Sequence, residues 1–404
     1  MPNRYSIFVL YLLAYFLSYF YRSTNAVIAD DLVRDLNLTP EQLGLMTGVF
    51  FAVFALAQLI IGPALDRFGA RLTTASLILS AVLGSFLFAS TDSFLLLILG
   101  RGLIGLGMAG VLMGSLKAFA NWFPGERFAT VSGVFVALGA SGSLFATVPL
   151  ESLSNILGWR QVFIWGAGLT LLSSLLLFGF VRDTPASQEN QRHKEQQGTL
   201  LDVLRNHRFW RIAFLNFAMV GSFFSYQSLW MGPYLQDAQR LSAATASQLL
   251  LVLAAASVAG FFASGYLTDH WGVLRTMISS SSLFFTVQLL LALAINQASL
   301  LYLALLMLLF GFSGAFNIQL YSHVRKLFPR YLIGRALALT NLFGIGAVSI
   351  LQWFLGVLIG RSALPNGHYA PGAFRGLFLL TALLGFTSLI VYLSFLRKTE
   401  PKYK

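Results

Sequence analysis

Residues 62–71 have the sequence GPALDRFGAR, and residues 265–272 have the sequence GYLTDHWG. Three positions of the two segments agree, and each agreeing pair is 203 residues apart: Gly62 and Gly265, Asp66 and Asp269, Gly69 and Gly272. A Phe-Pro pair at 123–124 recurs at 328–329, at an offset of 205. Motifs that recur at a nearly constant offset of about half of the chain predict an internal duplication.

The composition around these segments is that of a membrane protein. Of 404 residues, 57% are hydrophobic and 10% are charged, whereas a soluble domain carries about 25% charged residues. Most of the surface must therefore face lipid. Twelve apolar runs are long enough for membrane-crossing helices, which need about 20 residues each. We number them spans 1 to 12, near 6–29, 41–62, 73–90, 94–119, 129–150, 161–180, 209–230, 244–266, 275–294, 299–322, 333–358 and 375–396.

Helix-start signals precede spans 2 and 8 at corresponding positions. Thr39-Pro40-Glu41-Gln42 has the residues of a capping box, with proline at the first helical position. Ser242, 203 residues after Thr39, is the matching cap. The sequence predicts that both helices begin there.

One long polar stretch divides the chain into six spans and six spans. Residues 183–198 are DTPASQENQRHKEQQG, a composition typical of a solvated linker. We therefore expect an N-terminal six-helix bundle over 1–181, a cytoplasmic linker over 182–208 and a C-terminal six-helix bundle over 209–404.

The net charge of +12 is unevenly distributed. If both termini lie on one side, 20 of the 27 Lys and Arg residues fall on that side, five fall on the other, and two lie within spans. Positive charge marks the cytoplasmic side of a membrane protein. We therefore predict a multi-pass protein of the cell inner membrane with both termini in the cytoplasm. Because topology accounts for the basic excess, we expect no nucleic-acid partner.

Four local motifs make the chain similar to a known family. They are Gly62-x-x-x-Asp66-Arg67-x-Gly69-x-Arg71, Arg101-x-x-x-Gly105-x-Gly107-x-Ala109, Trp122-Phe123-Pro124-Gly125-Glu126-Arg127 and Gly158-Trp159-Arg160. With them, residues 5–396 resemble the major facilitator superfamily of secondary transporters. The resemblance implies an all-α membrane protein of twelve transmembrane helices, in two pseudo-symmetric six-helix bundles that rock around a central cavity.

The motif after span 2 suits a conformational gate. A carboxylate there can pair with an arginine or a facing helix N-terminus in one conformation and lose that partner in the other. The gating candidates are Asp66, Arg67, Gly69, Arg71 and, from the second half, Asp269. The alternative is that these charges only fix the topology of the loops.

Span 1 carries a polar stripe. Tyr11, Tyr15, Ser18, Arg22 and Asn25 follow one another at spacings of three and four residues, which places them on one helix face. An arginine within the membrane costs about 2.5–3.5 kcal/mol on insertion scales, so such residues face the bundle interior and mark function. We expect Arg22 to bind substrate, with Tyr15 and Asn25 in the cavity wall.

Arg101 in span 4 is a second arginine within the membrane. A carboxylate or phosphate bound between Arg22 and Arg101 would relieve their repulsion, and arginine offers it a bidentate fork. The alternative is structural, with Arg101 donating hydrogen bonds to backbone carbonyls of neighbouring helices.

The stretch Tyr21-Arg22-Ser23-Thr24-Asn25 is similar to the span 1 arginine region of organophosphate:phosphate antiporters and anion:cation symporters. Resemblance to the antiporters implies a second arginine in span 7. Here the duplication partner of Arg22 is Ser225. This departure favours a monoanionic carboxylate or a zwitterion over a sugar phosphate.

Polar residues within the other spans supply further candidates. In the second half, side chains able to hydrogen-bond either substrate or a neighbouring helix are Tyr226, Gln227, Asn317, Gln319 and Asn341. Proton coupling needs a group that titrates as the cavity alternates. The candidates for it lie near span ends and are Asp30, Asp31, Glu151 and His323.

The sequence contains no P-loop, no HExxH, no Ser-His-Asp grouping and no cysteine. We therefore predict no enzyme activity, no cofactor and no metal. The favoured function is a monomeric carrier in the lipid bilayer that moves a small organic anion by alternating access, coupled to protons or by exchange. One alternative is a multidrug exporter, suggested by the 37 Phe residues. A non-transporting sensor is another, although the linker and the tail are too short for an output domain.

Overall fold

The computed structural model describes residues 4–123, 125–183, 199–295, 298–362 and 369–397, apart from the side chains at 66, 125–130, 330–331, 334 and 396–397. Most of the predicted linker, 184–198, lies outside these ranges. The described end of that linker contains a short helix, Leu200–Leu204. The Thr199 hydroxyl caps it by accepting from the Asp202 backbone N–H (3.3 Å). The Thr199 backbone N–H and hydroxyl donate to the Asp202 carboxylate and hold its pKa below the ordinary value.

The apolar helices follow the predicted order. Within the described ranges, eleven helices are long and apolar enough to cross a membrane, and a bent pair makes a twelfth. From span 1 to span 12 they are Arg4–Ser23, Pro40–Leu65, Arg67–Ala89, Phe94–Trp122, Val131–Phe145 with Val148–Leu157, Trp159–Phe180, His207–Ala238, Ala243–Trp271, Val273–Leu293, Leu300–Leu327, Arg335–Gly360 and Pro371–Leu393. The prediction of an all-α membrane protein with twelve spans is confirmed.

Both predicted helix starts are confirmed. The Gln42 backbone N–H donates to the Thr39 hydroxyl (3.2 Å), and the Thr39 backbone N–H donates to the Gln42 side-chain oxygen (2.9 Å). This is the reciprocal capping box, and Pro40 follows it. At the matching place in the second half, the Ser242 hydroxyl accepts from the Thr245 backbone N–H (3.2 Å).

Two glycines of the repeated motif end spans in the same way. Gly69 has φ 81° at the kink near the start of span 3, and Gly272 has φ 79° between spans 8 and 9. Residues with a side chain are strained at such positive φ values. Glycine therefore recurs at an offset of 203 because the backbone adopts a positive φ at this position in both halves.

In two places, helical structure continues beyond the predicted end of a span. Span 1 continues past Thr24 into the helix Asn25–Leu36, so Asp30 and Asp31 lie within a polar extension of that helix. The extension is stable beyond the span because one face is buried and the other is charged. Span 5 bends by 41° before Pro149, and Glu151 lies in the first turn of its second segment, Val148–Leu157.

Helix irregularities recur at duplicated positions in four spans. Span 1 is interrupted at Thr24, and span 7 becomes a π-helix over Tyr226–Trp230, which includes the duplication partner of Thr24. Span 4 is interrupted at Gly110, and span 10 tightens to a 3₁₀ helix over Ala315–Ile318, beginning at the partner of Gly110. The helices on either side are Phe94–Ala109, Val111–Trp122, His207–Ser225, Leu300–Gly314 and Gln319–Leu327. Interrupted spans of this kind expose backbone groups where they line a cavity.

The two halves meet closely at one end of the molecule. We call the end that carries Arg4 and Leu393 the termini face and the opposite end, near Asn37, the far face. At the far face, a Cβ on Gly232 would collide with the carbonyl oxygen of Ala26. A Cβ on Gly44 would lie 2.5 Å from the carbonyl oxygen of Gln352. Glycine therefore permits spans 1 and 2 to approach spans 7 and 11 at backbone distance.

This packing predicts that Gly232→Ala opens the far face. Because the chain has no cysteine, a single Ser23→Cys substitution can report on the buried interface just beneath that closure. We expect a membrane-impermeant maleimide to label the introduced thiol faster in the Gly232→Ala background. Gly376→Ala is the matched control, since a Cβ there meets nothing within 4 Å. Equal labelling in both backgrounds would contradict the role given to Gly232.

Candidate functional site

A cavity of about 90 Å³ lies between the two halves. It extends along span 1 from Arg22 to Tyr15, which lies two helical turns closer to the termini face. Both halves contribute polar side chains to its wall, namely Tyr15, Tyr19, Arg22 and Gln58 from the first and Asn317, Tyr321 and Asn341 from the second.

Arg22 is the cationic group of this wall. Its side chain lies on the polar stripe of span 1, and the residue is 5% exposed. Three rings surround the guanidinium at centroid distances of 4.8, 5.1 and 5.2 Å, those of Tyr19, Phe54 and Phe224. We call these three rings the aromatic cage. Because Phe224 belongs to span 7, the cage joins the two halves.

The charge of Arg22 is not balanced by a carboxylate among the described residues. The Arg22 Nε has no hydrogen-bond partner there, and the described salt bridges all lie elsewhere. The cation–π interaction with each ring of the aromatic cage stabilises the guanidinium by about 0.5–2 kcal/mol. Removing an ion from water costs several kcal/mol. The arrangement can therefore accept an anion, which would supply the missing charge and hydrogen-bond acceptors.

Hydrogen bonds orient the other polar groups of the cavity. The Tyr321 hydroxyl donates to the Asn341 side-chain oxygen (2.8 Å), which leaves the Asn341 amide group available as a donor. Gln58 donates to the carbonyl of Ala109 (3.1 Å), which the interruption at Gly110 frees from the helix. Asn317 donates to the Gly314 carbonyl (2.7 Å) at the equivalent place in span 10.

Four of the nine predicted substrate-binding residues line the cavity: Tyr15, Arg22, Asn317 and Asn341. The sequence analysis missed Tyr19, Gln58 and Tyr321. Gln58 is a polar residue deep in an apolar span, the same signal that identified Asn317. Tyr19 and Tyr321 carry weaker signals, because tyrosine is common within apolar helices.

The structure places Arg101 away from the cavity, contrary to the expected substrate contact. Its side chain is fully buried within the first half, between the rings of Phe50 (5.2 Å) and Phe88 (5.7 Å). One guanidinium nitrogen donates to the Tyr21 carbonyl (3.3 Å). This geometry corresponds to the structural alternative for Arg101.

Four other predicted residues also lie outside the cavity, and three of them join helices. Asn25 donates to the Thr47 hydroxyl (2.7 Å), and Tyr226 shares a hydrogen bond with Thr381 (3.0 Å). Gln319 donates to the Ser264 hydroxyl (3.0 Å). Gln227 instead lines a separate void of about 10 Å³ near the far face.

Two of the gating candidates, Gly69 and Arg71, contact an acid that the sequence analysis assigned to the linker. The Arg71 backbone N–H donates to the Asp183 carboxylate (2.7 Å), and a Cβ on Gly69 would collide with that carboxylate. Asp183 thus occupies the N-terminus of span 3, where a helix favours negative charge. Arg67 and Asp269 are exposed, and the side chain of Asp66 lies outside the described part. Among the residues that the structure describes, nothing lies within 4 Å of a Cβ on Gly272.

The proton-coupling candidates do not line the cavity. Asp31 pairs with Arg34 (2.7 Å) and accepts from the Ser154 hydroxyl (3.2 Å), while Asp30 lies half-buried beside it in the helix. Glu151 accepts from Asn155 (2.6 Å). His323 is buried in the second half and shares a hydrogen bond of 2.6 Å with the Tyr392 hydroxyl.

Sequence comparison identifies relatives of this chain. A sequence model of the Major Facilitator Superfamily matches residues 11–352. The nitrate/nitrite transporter NrtP of Picosynechococcus sp. is 28% identical over 242 residues, 53% of this chain and 45% of that protein. The probable sulfoacetate transporter SauU of Cupriavidus necator is 24% identical over 284 residues, 67% of this chain and 66% of that protein. The chain thus spans less than half of NrtP and about two thirds of SauU.

Solved structures share the architecture. The nucleoside transporter NupG superposes with a TM-score of 0.77 at 12% identity, over 99% of this chain and 100% of that one. A bacterial homologue of the human lysosomal transporter Spinster, inward-facing and occupied, gives 0.74 at 17% identity, over 99% and 98%. At identities this low, the likeness establishes the fold alone.

The surroundings of Arg101 predict that its charge is dispensable. Replacing a buried ion by an apolar group of similar volume is neutral or stabilising by about 1–4 kcal/mol. We expect Arg101→Met to unfold thermally at the same temperature as the parent or higher, and Arg101→Lys to unfold at a lower temperature. A folded Arg101→Met protein that no longer responds to any anion would contradict the structural role.

Proposed function

Since this chain belongs to the Major Facilitator Superfamily, we propose that it carries a small anion across the membrane by alternating access, with Arg22 as the residue that holds the anion. Membership also means that the chain is a multi-pass membrane protein and not an enzyme, because the family consists of transporters. The substrate, the direction of transport and the coupling belong to the proposal.

One observation carries the proposal. Arg22 faces a cavity between the two halves and has no carboxylate partner among the described residues. Ionisable residues within membrane spans face the bundle interior or a water-filled cavity and mark the pathways of substrates and ions. An anion that enters the cavity would contact the guanidinium and the hydrogen-bonding groups of Tyr19, Asn317 and Asn341.

The cavity also favours a particular class of anion. A single guanidinium balances one negative charge, and a volume of about 90 Å³ admits only a small molecule. A monoanionic carboxylate, a comparable planar oxyanion or a zwitterion fits both conditions. The relatives NrtP, a nitrate/nitrite transporter, and SauU, a probable sulfoacetate transporter, support an anionic substrate. A lipophilic drug fits this small, cationic cavity poorly.

We place the protein in the cell inner membrane with the termini face in the cytoplasm. The support is the distribution of Lys and Arg, 20 on that side against five on the other. The glycine contacts at the far face then close the periplasmic side, and the cavity extends toward the cytoplasm. In this arrangement the bundles 1–181 and 209–404 rock about the cavity, and the contact of Asp183 with Gly69 and Arg71 is the candidate gate of the first half.

The test is anion binding to purified protein with Arg22 varied. Thermal unfolding is followed with nitrate, formate, lactate, sulfoacetate, glucuronate and glycine, and uptake of the stabilising compounds is measured in proteoliposomes. We expect stabilisation by one or more small monoanions. A charge-assisted hydrogen bond contributes about 1.5–3 kcal/mol, so Arg22→Gln should weaken binding by about 10–150-fold.

Two further variants separate this effect from damage to the fold. Arg22→Lys keeps the charge but loses the bidentate fork, and it should bind with intermediate affinity. Arg101→Met removes the other buried guanidinium and should bind like the parent. Undiminished affinity and uptake in both Arg22→Gln and Arg22→Lys would refute the role of Arg22.

A further inference from the structure

A groove of about 630 Å³ lies on the outer surface of the second half, near the termini face. Spans 7, 11 and 12 form it, and two of its apolar residues, Trp210 and Ile350, are 45% and 55% exposed. On the outer surface of a membrane protein, such side chains meet lipid rather than water. The groove is therefore separate from the cavity at Arg22 and opens to the bilayer.

One end of the groove is basic. His207 is the first residue of span 7, and Arg211 follows one helical turn later. The Arg211 guanidinium lies over the Phe395 ring at 5.3 Å, and it forms no salt bridge among the residues that the structure describes. The nearest acid along the sequence, Asp202, accepts hydrogen bonds from Thr199 instead. This end of the groove thus offers positive charge to a ligand.

Trp210 indicates the level of the basic end in the membrane. Its indole N–H donates to the Leu204 carbonyl (2.8 Å), and its ring packs against that of Phe343 at 5.2 Å. Tryptophan is enriched at the boundary between hydrocarbon and headgroups. Leu200 and Leu201, in the short helix that precedes span 7, are also exposed, as in a helix that lies along a membrane surface. The basic end therefore lies at the level of the lipid headgroups.

The rest of the groove is apolar and continues into the hydrocarbon. Phe217 lies seven residues beyond Trp210 on span 7, and Ile350 lies seven residues beyond Phe343 on span 11. At 1.5 Å per residue, each pair covers about 10 Å of depth, and one leaflet contributes about 15 Å of hydrocarbon. The apolar part is therefore long enough to hold much of an acyl chain.

The charge at the basic end distinguishes between the possible occupants of the groove. A phospholipid with a net negative headgroup supplies the acid that Arg211 lacks, and basic pockets between membrane helices bind such headgroups. A zwitterionic lipid brings a positive group together with its phosphate. A second copy of the chain, related by a two-fold axis along the membrane normal, would bring its own arginine to the same level. Charge complementarity therefore favours an anionic lipid.

We propose that the groove between spans 7 and 11 binds an anionic phospholipid, whose phosphate contacts Arg211 and His207 and whose acyl chain lies along the apolar side chains beyond them. Arginine can hold a phosphate through two parallel hydrogen bonds, and the imidazole N–H of His207 can donate another. The inference requires only that the termini face lies at a membrane surface. It does not depend on an anion at Arg22.

The test compares the binding of two lipids to the purified full chain by native mass spectrometry. The probes are phosphatidylglycerol and phosphatidylcholine with identical acyl chains. We expect phosphatidylglycerol to bind more tightly by about fivefold or more, because each basic residue near an anionic headgroup contributes about that factor. Arg211→Gln should remove most of this preference, and Arg211→Lys should retain part of it.

The matched control is Arg275→Gln, which removes an exposed arginine at the start of span 9, in the same half but outside the groove. It should bind both lipids like the parent. Equal affinity of the parent for the two lipids, or an equal loss of phosphatidylglycerol in Arg211→Gln and Arg275→Gln, would overturn the proposal.

Two further measurements separate a lipid from other occupants. Ile350→Trp fills the apolar part of the groove and should weaken the binding of phosphatidylglycerol, so unchanged binding would refute the place given to the acyl chain. Excess inorganic phosphate should displace little of the lipid, because the acyl chain also holds it, and complete displacement would assign the basic end to a free anion. A dimer that excludes both lipids and dissociates in Ile350→Trp would assign the groove to a second copy and contradict the proposal.

Discussion

A guanidinium group enclosed by three aromatic rings, without a carboxylate among the described residues to balance it, is the interaction on which the central cavity depends. The rings come from both halves of the molecule, so the same contact that holds Arg22 also joins the halves. Tight backbone approach at Gly232 and Gly44 closes the cavity at the far face. These features place one positive charge in a small cavity between the halves, and we propose that an anion binds to it there.

The duplication explains many features of the backbone but few of the charged side chains at the site. Caps at Thr39 and Ser242 and positive-φ glycines at Gly69 and Gly272 recur in register, as do the irregularities of spans 1, 4, 7 and 10. Asp66 and Asp269 recur, but the charged groups of the cavity and of the Gly69 contact do not. Ser225 takes the place of Arg22, and no acid among the described residues lies within 4 Å of a Cβ at Gly272. Two similar scaffolds thus carry different side chains, which makes the cavity singly charged.

The sequence was sufficient to predict the spans, their helix caps and the position of Arg22 in the cavity wall. These features follow from hydropathy, capping chemistry and the cost of a charge in the membrane. The sequence was insufficient to predict the role of a side chain wherever that role depends on which helix packs against it. Arg101, like Arg22, is an arginine within an apolar span, yet Phe50 and Phe88 enclose it within one half. Asp183 belongs to a polar stretch, and only the approach of span 3 shows its contact with Arg71. The bounds of the two bundles, the gating roles and proton coupling stay predictions.

The most direct measurement of the central claim is the distance between a bound anion and Arg22. Solid-state NMR of ¹³C-arginine-labelled protein saturated with ¹⁵N-nitrate measures the dipolar coupling between the two labels. The account predicts that one arginine lies within about 4 Å of the anion and that its coupling disappears in Arg22→Gln. Nitrate that is bound but shows no coupling to arginine, or a coupling that persists in Arg22→Gln, would contradict the account.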